Sequence, residues 1–209
     1  MKRAAIIVFL FLASYLVACA STSNYPITLS YQPLKQYEET GGVTVAVAVL
    51  GDKRQVADKR IIGKTENGVP FISLLGDPAE SLSKGFASYL ENRGYKVSRT
   101  NDVWDGNLQS LNPNWGAIVV GGTLDDIALN EKGNLVKTEY LYSIKFTLYI
   151  ADAETRELLH KESFEVSSSY VTVPFSREKA EELINTALSD AVERALADIN
   201  KYIPKRLTL

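Results

Sequence analysis

The stretch EYLYSIKFTLYIA, residues 139–151, decides the fold class. Tyr140, Tyr142, Ile144, Phe146, Leu148 and Ile150 take alternate positions. Leu141, Ser143, Lys145, Thr147 and Tyr149 take the others. A period of two places one set on a buried sheet face. The turn-forming residues Asp152-Ala153-Glu154-Thr155 follow, then a second long strand over Glu157 to Val171. Two long strands with so short a joint predict an antiparallel hairpin.

Working outward, Trp115 to Thr123 reads as a strand centred on Ala117, Ile118, Val119 and Val120, and Tyr95 to Ser98 as a shorter one. Val43 to Leu50 (VTVAVAVL) is β-branched and apolar at almost every position, as a strand buried on both faces is. Lys53 to Arg60 is too polar for a core and reads as loop. Ile61-Ile62 and Val69 to Ile72 flank Glu66-Asn67-Gly68, a hairpin signal. Pro70 has no amide to give a ladder, so this strand is expected at a sheet edge.

Two helices complete the set. Asp77-Pro78-Ala79-Glu80 has cap, first-turn proline and early acid in order. Ala79, Leu82, Phe86, Tyr89 and Leu90 then share a face, and Gly94 closes the helix. Ser176 caps the second. Ala180, Leu183, Ile184, Ala187, Leu188, Ala191, Val192, Ala195, Leu196 and Ile199 recur at helical spacing, opposite Glu181, Glu182, Asp190, Glu193, Arg194 and Asp198. The expected architecture is α+β: a mixed, mainly antiparallel sheet with two long helices packed on one face, over residues 43–203, followed by a tail at 204–209.

The N-terminus has a different grammar. Lys2 and Arg3 precede an apolar run from Ala4 to Ala18, the pattern of a secretory signal peptide. The run is too short to span a bilayer comfortably, which takes roughly 20 residues. It ends in Leu16-Val17-Ala18-Cys19, and Cys19 is the one cysteine in 209 residues. Leu-x-Ala-Cys resembles the lipobox of bacterial lipoproteins. The resemblance implies cleavage before Cys19 and lipid on its thiol. With Ala20 next, it implies export to the outer membrane of a Gram-negative cell, the domain facing the periplasm. Residues 1–18 are thus expected to be signal peptide and residues 19–42, rich in Ser, Thr, Asn, Pro and Gln, a tether. Within that tether Ile27, Leu29 and Tyr31 alternate with polar residues and suggest an extended piece on a sheet edge.

Taking Lys2 and Arg3 from the 23 basic residues leaves 21 against 25 acidic ones. Such a balance argues against a nucleic-acid partner, which calls for a basic face. A lipidated Cys19 leaves no thiol for a disulfide. The one histidine, His160, lies on a strand without the elbow a nucleophile needs. One His and one lipidated Cys cannot supply a zinc site. Gly121-Gly122-Thr123 lacks the lysine and spacing of a phosphate loop and reads as a close backbone approach. Asp125-Asp126 alone offers too few oxygens for calcium. No catalytic residue, cofactor or metal is expected.

Two surface features remain. Trp104 stands in a polar stretch from Arg99 to Asn114 and reads as a plug for a gap. The hairpin crowds Ile61, Ile62, Phe71 and Ile72, with Leu74 and Leu75 beyond, onto an expected edge. These four are the candidate partner-binding residues, because an open edge with apolar side chains can accept another strand; the competing reading is that the hairpin folds over the core and buries them.

The chain resembles the YajG family of bacterial lipoproteins. The resemblance rests on the lipobox, Ile27-Thr28-Leu29, the strand Val43–Leu50, Asp52-Lys53-Arg54, Ile62-Gly63, Arg93-Gly94-Tyr95-Lys96-Val97 and the helix with Ala187, Leu188, Ala191 and Ala195. Ala117–Gly122 and Asp152-Ala153-Glu154-Thr155 are also similar to lipoproteins of the penicillin-binding-protein activator and curli-secretion kind, whose turn has a glycine where Arg156 stands. Neither resemblance brings a catalytic residue. Together these readings predict a non-enzymatic envelope lipoprotein that binds the membrane through Cys19 and a second envelope component, a protein. The alternative is a small-ligand or lipid-binding accessory of a transporter, and an enzyme ranks third. Oligomeric state is left open.

Overall fold

The computed structural model describes residues 23–34, 43–133 and 137–202. Cys19, the signal peptide and the tail 204–209 lie outside the described residues. Among the described residues are nine strands: β1 (Tyr25–Ile27), β2 (Thr44–Val49), β3 (Gly51–Asp52), β4 (Ile61–Lys64), β5 (Pro70–Ser73), β6 (Lys96–Val103), β7 (Ile118–Gly133), β8 (Thr138–Asp152) and β9 (Glu157–Thr172). The helices are α1 (Pro78–Asn92) and α2 (Arg177–Leu196).

One sheet is built around β7. Along one side β7 pairs antiparallel with β8, from Ile118↔Asp152 to Gly133↔Thr138, and β8 pairs antiparallel with β9. Along its other side β7 takes three strands in succession, all parallel: β2 at Ile118–Val120, β3 at Thr123–Leu124 and β4 at Leu129–Asn130. Parallel β6 extends the sheet beyond β2, while antiparallel β5 and then parallel β1 extend it beyond β4.

The sheet is mixed, as expected, but not mainly antiparallel: five of its eight pairings are parallel. The long β8–β9 ladder is local in sequence and therefore legible, but β7 does not stop at Thr123 as expected: it continues to Gly133 along β8. The parallel contacts join remote segments, and crossovers of that kind leave little local signal. The almost continuous apolar character of β2 was the one trace of them.

Both helices pack on one face, over Val45, Val47, Ile118, Val120, Phe146 and Leu148, in a single core cluster. Asp77 caps α1 through the Ala79 amide, and Ser176 caps α2 through the Lys179 amide. Leu188 and Val192 are buried at 1% and 0% exposure, so the stripe on α2 faces the domain's own core. On the opposite face a smaller cluster gathers Ala46, Ala48, Val119, Ala151 and Trp104. Trp104 is fully buried and its indole N–H donates to the Asn107 carbonyl at 2.9 Å. Gly121 makes room for it: a Cβ there would lie 2.6 Å from the indole. The expected short strand at 95–98 continues to Val103, which shortens the polar loop before Trp104.

The domain begins earlier than residue 43. Ile27 and Leu29 belong to the core, at 0% and 3% exposure. Residues 28–34 lie along α2, whose side chains bind their backbone at every second residue. The Thr28 amide donates to Glu181 at 2.8 Å, Ser30 to Asn185 at 2.9 Å, Gln32 to Ser189 at 2.9 Å and Leu34 to Glu193 at 2.7 Å. Asn185 also donates to the Thr28 carbonyl at 2.9 Å. Four residues of helix rise about 6 Å, and two extended residues about 6.6 Å. Steps of four on α2 therefore keep pace with steps of two on the strand.

Candidate partner-binding cleft

The loop between β3 and β4 was expected to be solvated, yet Arg54 is 5% exposed. Its guanidinium grips the Asp52 carboxylate, at 2.6 Å from Nη2 to Oδ2, and donates to the Ile61 carbonyl at 2.9 Å and to the Lys59 carbonyl. Lys59 Nζ reaches Asp52 at 3.3 Å and the Arg54 carbonyl. Burial works to raise the Asp52 carboxyl, but the hydrogen bonds and charge of Arg54, with Lys59, outweigh it and hold it below the ordinary aspartate value. Asp77 goes the other way: burial pushes it up, and the neighbouring Asp52 adds to the shift. The guanidinium thus ties the two ends of the loop, Asp52 and Lys59 to Ile61, to each other, and the loop stands as a wall.

That wall closes one side of an open cleft of about 460 Å³ between the β4–β5 hairpin and β7. Val56, Ile61, Ile62, Pro70, Ile127 and Ala128 supply its apolar surface, with Lys64, Asp126 and Asn130 flanking. Val56 is 41% exposed. The floor is where β4 crosses closest to β7: at Gly63 (φ 151°) a Cβ would lie 1.9 Å from the Leu129 carbonyl oxygen, so only glycine fits.

The structure divides the four candidate residues. Both Ile61 and Ile62 border the cleft, but Ile62 is 1% exposed and belongs to the core, so of the pair Ile61 is the accessible one. Phe71 is fully buried in the same core cluster as Ile62, its ring 5.7 Å from Tyr25 and 6.5 Å from Phe175. Ile72 is half-buried and paired with Ile61 and Pro26. The strand of Pro70 is not an open edge, because β1 runs along it in parallel from Tyr25↔Phe71 to Ile27↔Ser73. Strand addition at Phe71 is thus blocked by the chain itself, and the accessible apolar surface lies in the cleft. Val56, Ile127 and Ala128 were missed because only the remote β4–β7 pairing brings them there.

The other candidates resolve into structure. Asp125 accepts from the Thr123 and Thr147 hydroxyls at 2.9 and 2.8 Å. His160 stacks on Tyr202 at 3.9 Å and meets Glu162 at 3.2 Å. Among the described residues no group of three or more His, Cys, Asp or Glu could hold a metal, and no helix is long and apolar enough to cross a membrane.

No family model matches the chain, and no curated protein does. Solved structures do. A Xanthomonas campestris protein of the DUF330 family superposes with a TM-score of 0.54 at 11% identity, over 83% of this chain and 92% of that one. An uncharacterized protein gives 0.50 at 11% identity, over 82% and 99%. A minor lipoprotein from Acinetobacter baumannii gives 0.38 at 15% identity, over 73% and 98%, a likeness too distant to argue from. The chain therefore shares its fold with the DUF330 protein, and at this identity it is the fold alone that is shared.

Proposed function

We propose that the protein is a non-enzymatic lipoprotein of the YajG kind. Lipid on Cys19 anchors it to the outer membrane of a Gram-negative cell, facing the periplasm, and it holds a segment of another envelope protein in the cleft beside the β4–β5 hairpin. The observation that carries the binding reading is the cleft itself: apolar, open to solvent, and walled by a loop that the buried Arg54–Asp52 pair ties together. Apolar grooves with polar rims take extended or helical segments of partners. The volume of the cleft, about 460 Å³, also falls within the roughly 300–1,000 Å³ of small-ligand sites, which supports the second reading, a ligand- or lipid-binding accessory of a transporter.

A photo-crosslinking amino acid at Val56 separates the two in cells. The protein reading expects one discrete crosslinked partner, lost when Ile61→Glu is added, and none from the same probe at exposed Leu34. A partner retained by a folded Ile61→Glu protein contradicts the cleft as its seat. A small molecule released from the purified protein on denaturation, without any crosslinked protein, favours the ligand reading.

A further inference from the structure

One end of the sheet gathers the start of β1, the β4–β5 turn, the β7–β8 turn and the connection from β9 to α2. At that end Tyr170, Val171 and Val173 are 40%, 48% and 60% exposed. The three residues before them are serines, Ser167, Ser168 and Ser169, so the apolar surface on β9 resumes only here. Two residues beyond Val173, the Phe175 ring packs against Tyr25 at 5.0 Å and Tyr140 at 6.2 Å. Tyr170 and Val171, consecutive on β9, lie on opposite faces, so with Val173 they form an apolar rim at this end of the sheet, and that rim adjoins the point where the chain enters the fold from the direction of Cys19. Five residues separate Cys19 from Tyr25, and the six steps reach at most about 22 Å.

We infer that the patch of Tyr170, Val171 and Val173 rests on the phospholipid bilayer that holds the Cys19 lipid. The inference rests on the anchoring reading above. A tether of 24 residues, as the composition of 19–42 suggested, could hold the domain up to about 80 Å away. Entry at Tyr25 removes that slack. Tethering at such short range raises the local concentration of lipid at the patch, so weak insertion suffices. The residue types suit an interface: Tyr170 has an apolar ring with a polar tip, Lys179 lies over that ring at 4.7 Å, and the two valines present branched apolar surface. Glu66, Glu131 and Glu139 share this end of the sheet, with Lys64, Lys132 and Lys137 among them. With both signs present, docking is driven by apolar insertion and is insensitive to salt.

The chain's only natural cysteine carries the lipid in this reading, so Val173→Cys gives a single free thiol for an environment-sensitive fluorophore. The lipidated protein is reconstituted in phosphatidylethanolamine–phosphatidylcholine vesicles containing nitroxide-labelled lipid. The label at Val173→Cys is expected to shift to the blue and lose most of its emission, at low and high salt alike. The same label at Leu158→Cys, at the opposite end of β9, is expected to do neither. Val171→Glu is expected to restore the emission while the protein still floats with the vesicles. A protein that floats with an unquenched Val173 label overturns the docking and leaves the anchor standing. A protein that does not float overturns both.

Discussion

Removing the Asp52 carboxylate strands a guanidinium that has almost no access to water. The side chains of Arg54 and Asp52 are 3% and 5% exposed, and breaking one half of a buried pair costs about 3–5 kcal/mol. Asp52→Asn is therefore expected to lower the unfolding free energy by that amount at pH 7, measured by denaturant titration. The sign of its pH dependence follows from the lowered carboxyl. A depressed carboxylate contributes stability at pH above its ordinary value, and the contribution is lost as the pH falls through the folded value. The gap between wild type and Asp52→Asn should thus be widest near neutrality and close only below the ordinary aspartate range. An equal gap at all pH values would show that the substituted amide disturbs packing rather than charge. In the sequence this pair was hidden, since Lys53 to Arg60 has the composition of a solvated loop. Trp104 was legible as a plug and Gly121-Gly122 as a close approach, because a large ring in a polar stretch and a small residue in a strand point to local packing.

At the scale of elements, the least expected arrangement is the strip 28–34 on α2. Among the described residues no strand pairs with its backbone, and side chains at 181, 185, 189 and 193 take the place of a ladder. Burial and the Glu193 carboxylate hold the Tyr31 hydroxyl above its ordinary value, and that hydroxyl donates to Glu193 at 3.4 Å. Asn185 is the central tooth, 6% exposed and bonded to both Ser30 and Thr28. Asn185→Ala leaves a buried amide and carbonyl unmet, and each such group costs about 1–3 kcal/mol. The expected result is faster amide exchange at Ser30 and Gln32 with the β7–β8 ladder still protected. Uniform acceleration throughout the domain would contradict the strip as a separable element. From the sequence, the apolar stripe of α2 was readable to the residue, since helical periodicity is local. The role of Glu181 and Glu193 was not, since an acidic helix face looks the same whether it meets water or a backbone. The alternation of Ile27, Leu29 and Tyr31 did mark the strip as extended.

For the molecule as a whole, the consequence is directional. The chain enters at the end of the sheet bearing Tyr25, Phe175 and Val173, runs beside α2, and leaves the strip at the other end, where Val43 leads into β2. The cleft opens on the flank between. The β8–β9 ladder and both helices were expected from periodicity, whereas β7 runs ten residues past its expected end at Thr123 to pair with β8. The parallel joins, the cleft they create and the true start of the domain depend on pairings between remote segments and left no comparable trace. Anchoring, docking and the orientation of the cleft all hang on Cys19 as the fixed point. That point is tested most directly by the mass of the N-terminal peptide of the protein purified from cell membranes. The expected peptide begins at Cys19 and carries acyl chains, with residues 1–18 gone. A peptide that retains Ala18, or that begins at an unmodified Cys19, would contradict it.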